Sequence, residues 1–73
     1  APDNFALTAA ITELKAQFAI NDVDYLKTWQ IDDHHVHCEL KFSAKQNINN
    51  DEIRHFLHDN FAIESCTIEQ VLV

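Results

Sequence analysis

The chain has 73 residues, of which 47% are hydrophobic and 23% charged, and a formal net charge of −7 from twelve acidic and five basic side chains. That length makes one small domain, that composition argues against disorder over most of it, and a domain of this size buries only about 60% of its unfolded surface, so a partner or oligomer is physically reasonable. The acidic surplus repels phosphate backbones and attracts cations, which excludes nucleic acid as an expected partner.

The first predicted element is a helix. Leu7, Ile11, Leu14 and Phe18 recur at spacings of three and four with alanines between them, the apolar stripe of an amphipathic helix. Asp3 or Asn4 is suited to cap its start, and it should end between Ala19 and Asn21, where Asn and Asp take the turn role in a chain with no glycine.

Two strands follow. Val23 to Ile31 is rich in β-branched and aromatic residues, and from His35 to Phe42 the apolar set Val36, Cys38, Leu40 and Phe42 alternates with His35, His37, Glu39 and Lys41. Asp32 and Asp33 sit at the natural turn, which gives an antiparallel hairpin with a polar tip. With the apolar set turned to the core, His35, His37 and Glu39 share the opposite face. Five metal-capable side chains, Asp32, Asp33, His34, His35 and His37, fall within six residues.

Ser43 to Ile48 reads as a loop. Asn49 with Glu52 three residues on resembles a capping box that opens a second helix, with Ile53, Phe56, Leu57 and Phe61 as its stripe, His55 and His58 on its surface and Asn60 as its stop. Cys66 to Val73 reads as a last strand. The order helix, strand, strand, helix, strand makes an α+β fold: a two-layer ferredoxin-like sandwich with both helices on one face of a three-stranded sheet and the histidines on the other.

Cys38 and Cys66 form neither a zinc-knuckle nor a thioredoxin-type spacing. They read as two reduced, buried thiols of a reducing compartment, with a single disulfide between adjacent strands as the alternative. No apolar run reaches the roughly 20 residues that span a bilayer, and the start lacks a signal-type region, so direct membrane insertion by this segment is not expected. Because the chain begins Ala-Pro, it reads as a domain excised from a longer protein. Catalysis is not expected, since there is no glycine for a phosphate loop or an oxyanion turn and little chain to build a deep cleft.

The histidine pair on the strand meets one condition for zinc, which needs imidazole, thiolate or carboxylate in a near-tetrahedral array. The same face also reads as a solvated polar surface or as a histidine pH switch. Trp29 is either an interface anchor or a packing residue.

The order of these elements, with Val23-Asp-Tyr-Leu-Lys-Thr-Trp29 and the closing Phe61-Ala-Ile-Glu-Ser-Cys-Thr-Ile-Glu69, resembles the C-terminal cytosolic domain of cation diffusion facilitator transporters over nearly the whole chain. The resemblance implies a cytosolic regulatory domain, spanning residues 1–73, on the cytoplasmic side of the cell membrane. It also implies a homodimer attached to the transmembrane domain of the same divalent-cation efflux transporter, with metal binding that tightens the dimer.

It carries a ligand set onto Asp24, onto His37 or Glu39 in the second strand, and onto Glu69. Together with the strand pair, this gives Asp24, His35, His37 and Glu69 as the expected metal ligands. The chain departs from the family's pattern by having Asp24, Ser65 and Glu69 where imidazole or amide side chains are common. Carboxylate in place of imidazole shifts preference from zinc, the first expectation, toward harder ions such as manganese or iron. A metal-independent ferredoxin-like interaction module is the alternative.

Overall fold

The structure, a computed structural model, describes residues 4–73, with side chains from residue 7 onward. The elements are α1 (Asn4–Gln17), β1 (Ile20–Asp32), β2 (His35–Ala44), α2 (Asn50–Phe61) and β3 (Ser65–Leu72). This is the expected α+β order, with a mixed three-stranded sheet in the order β1-β2-β3. The capping role expected of Asp3 or Asn4 lies outside the described side chains.

β1 and β2 are antiparallel and joined by a tight turn, while β2 and β3 are parallel. Parallel neighbours cannot be joined by a hairpin, and α2 supplies the crossover between them. Core-face residues of all three strands meet both helices in one cluster. Leu14 of α1, Cys38, Leu40 and Phe42 of β2, and Ile53 and Leu57 of α2 are each fully buried. Phe18 meets Phe56 edge to face at 5.7 Å, which ties the C-terminal end of α1 to the middle of α2.

Several boundaries differ from the sequence expectation, each for a local reason. β1 begins at Ile20 and not Val23, because Ile20 and Asp22 still pair with Ala44 and Ser43 across irregularities in the ladder. The turn falls on Asp33 and His34, since Asp32 pairs with His35. β2 runs on to Ala44, beyond the expected Phe42, because Ser43 and Ala44 pair on both sides, with β1 and with β3. The connection after β2 is therefore shorter than Ser43 to Ile48. It is pinned to β3 by the Gln70 side chain, which accepts from the Ile48 N–H at 2.9 Å and donates to the Ile48 carbonyl at 2.6 Å and to Asn50 Oδ1 at 2.7 Å.

α2 opens as expected: Asn49 Oδ1 accepts from the Asp51 and Glu52 N–H groups at 2.8 and 3.2 Å, satisfying two donors that the first turn leaves free. It runs past Asn60 to Phe61 and is closed by Ala62 in the left-handed region, φ 56 and ψ 35. The Ala62 N–H reaches the His58 carbonyl, and the following Ile63 N–H returns to Leu57. Burial of Ile63 holds the chain in this reversal without a glycine.

Candidate functional site

The helices cover one face of the sheet and leave the other open. The open face reads as rows across the strands, set by the register: Trp29, His37 and Ser65; Lys27, Glu39 and Thr67; Tyr25, Lys41 and Glu69; with Asp32 and His35 at the hairpin tip. Alternation along β2 is strict from Cys38 to Ala44, each second residue being buried. The histidines therefore stand on the face the sequence assigned to them.

His37 stands on the middle strand, in the row next to the hairpin tip. Its Nδ1 lies 2.7 Å from Ser65 Oγ and its Nε2 3.3 Å from Thr67 Oγ1, so a hydroxyl from β3 meets each ring nitrogen. From β1, the Trp29 indole packs on the imidazole with ring centroids 5.1 Å apart at 58°. Trp29 is 43% exposed, so it shields one side of His37 and offers a large apolar surface on the other.

At the tip, His35 Nδ1 lies 2.7 Å from both oxygens of Asp32, and the His34 N–H donates to Asp32 Oδ1 at 2.8 Å. The hydrogen bond and charge of Asp32 hold the His35 pKa above its ordinary value. Asp32 is held below its own, first by the His34 N–H and then by His35. His34 is a turn residue, and His55 and His58 are exposed on α2.

The remaining polar groups of the face are engaged with one another. Tyr25 Oη donates to Glu39 Oε1 at 3.3 Å, and partial burial, then the Glu39 charge, raise the phenol. Lys27 Nζ sits 4.7 Å from the Tyr25 ring centre, and Lys41 Nζ lies 3.5 Å from Glu69 Oε2.

The four expected ligands are not brought together within one chain. His35 and His37 are neighbours on β2, but Glu69 pairs in register with Lys41, four residues along from His37, or about 13 Å at the usual strand rise. Asp24 falls at an irregularity between Val23 and Tyr25 on β1, is exposed, and lies toward that same far end. The expected trio His35, His37 and Glu39 shares a face without converging. Same-face neighbours on a strand stand about 6.6 Å apart, and each of these three turns to a partner on another strand or the tip turn. Among the described residues, no three His, Cys, Asp or Glu side chains form a group that could hold a metal ion.

Ser65 and Thr67 were absent from the expected site, except that Ser65 marked a departure from the family pattern. Their role follows from the parallel register of β3 on β2, which no local pattern displays. No protein-family model matches this chain, and no curated protein matches it either.

Proposed function

We propose that this domain is a non-catalytic regulatory module that pairs through its open sheet faces and takes a divalent cation between two protomers, as in the cytosolic part of a cation efflux transporter. The observation that carries this reading is the placement of His35 and His37 on the uncovered face, beside the exposed indole of Trp29. Within one protomer the two imidazoles do not converge, so a zinc ion, which takes four ligands, would draw on groups of an apposed second face to complete its set. The net charge of −7 makes two copies repel, and a bridging cation offsets that repulsion. Asp24 and Glu69, at the far end, do not join the histidines, and Glu69 is paired with Lys41.

A specific observation favours a second reading, metal-free pairing of the same face. Both nitrogens of His37 already have hydroxyl partners, so metal binding must displace Ser65 or Thr67. Calorimetric titration of chelator-stripped protein with Zn²⁺ and Mn²⁺, paired with sedimentation analysis in each ion, separates the two. The metal-bridged reading expects saturable heat, a shift from monomer to dimer on metal addition, and loss of affinity by about tenfold or more in the double variant His35→Ala, His37→Ala. A dimer that forms equally well in chelator, with no binding heat, establishes the second reading and removes the first.

A further inference from the structure

Cys38 and Cys66 are direct register partners on the parallel strands β2 and β3, both on the core face and both free. Neighbouring strands lie about 4.8 Å apart, inside the roughly 4.4–6.8 Å that Cα atoms span in a disulfide. The register thus sets the two backbones at a spacing that a disulfide can bridge.

Their surroundings differ. Cys38 is 0% exposed, whereas Cys66 is 7% exposed. Arg54 of α2 stands over β3 there, its Nε donating to the Cys66 carbonyl at 3.1 Å while its Nη1 is held by Asp51 at 3.0 Å. Cys66 is thus the thiol that an oxidant reaches first, and Cys38 the one shielded from it.

We infer that Cys38 and Cys66 form a reversible thiol–disulfide site, in which Cys66 reacts first with a peroxide-class oxidant and Cys38 resolves the product. In the first step the Cys66 thiolate attacks the peroxide, the O–O bond breaks, one oxygen stays on sulfur as sulfenic acid, and the other leaves as hydroxide and takes a proton to become water. In the second step Cys38 sulfur attacks Cys66 sulfur, the S–O bond breaks, and the departing hydroxide takes the Cys38 proton as a second water. Each sulfur gives up one electron, and each peroxide oxygen gains one.

The bond would tie β2 to β3 directly beneath the row that positions His37. Ser65 and Thr67, its two hydroxyl partners, are the residues on either side of Cys66. The inference does not depend on metal binding at that face.

The test treats the whole folded chain with hydrogen peroxide and reads intact mass and free thiols under denaturing, non-reducing conditions. The expected product is a monomer lighter by two hydrogens, with both thiols lost together and both restored by dithiothreitol. In Cys38→Ala, dimedone should label Cys66, and in Cys66→Ala, Cys38 should stay unlabelled while the protein remains folded. Circular dichroism checks the fold of each variant, and the wild-type mass result stands independently of both. Intermolecular disulfide as the only product, faster labelling of Cys38 than of Cys66, or thiols that oxidise only in urea would each overturn the inference.

Discussion

Asp32 shows how one side chain decides the behaviour of its neighbours. It receives the His34 N–H and faces His35 Nδ1 at 2.7 Å, fastening the two-residue turn that joins β1 to β2. The His35 pKa is raised in the folded state, so its contribution to stability is complete below the ordinary histidine value and disappears as pH rises through the raised one. The Asp32 pKa is lowered, so its contribution is present above the ordinary aspartate value and disappears as pH falls through the lowered one. The pair therefore supports the hairpin most in mildly acidic solution. In Asp32→Asn, the His35 pKa followed by NMR should fall toward the ordinary value, and the mildly acidic gain in thermal midpoint should shrink. An unchanged His35 titration would show that the contact is not formed in solution.

At the scale of elements, α2 has ends of opposite quality. Asn49 is a strong start, and its replacement by Ala should cost about 1 kcal/mol. Ala62 is a strained finish, because a Cβ in the left-handed region crowds the following carbonyl. Ala62→Gly should raise stability by about 1 kcal/mol, since glycine enters that region without the clash. Urea unfolding of the two variants checks both signs, and a loss in Ala62→Gly would mean that the alanine methyl packs usefully or restrains the unfolded chain. β3 shows a different dependence. Its place comes from the parallel pairing with β2 and from Gln70, whose side chain ties the incoming loop to the strand.

For the molecule as a whole, a single buried layer between one sheet face and two helices must support everything. At the usual stability per residue, 73 residues amount to about 4–11 kcal/mol in total. Leu40 is fully buried at the centre of β2, the middle strand, paired on both sides. Leu40→Ala should cost about 2–5 kcal/mol, a large share of that total, and calorimetry should find the midpoint lowered or the transition lost. A change of a few tenths of a kcal/mol would mean that the core tolerates a void at its centre. Among the described residues, no helix is long and apolar enough to cross a membrane.

The sequence by itself determined the elements and the faces. Period-two alternation turned Cys38, Leu40 and Phe42 inward and His35, His37 and Glu39 outward, the apolar stripes oriented both helices, and Asn49 marked the start of α2. These are local properties, carried by residues within a few positions of one another. Tertiary structure decided which outward side chains meet. The parallel register set Ser65 and Thr67 on His37, sent Glu69 to Lys41 at the far end of the face, and aligned Cys38 with Cys66. Register between β2 and β3 is fixed only when α2 has packed and returned the chain, so the candidate ligands could be listed from the sequence while their grouping could not.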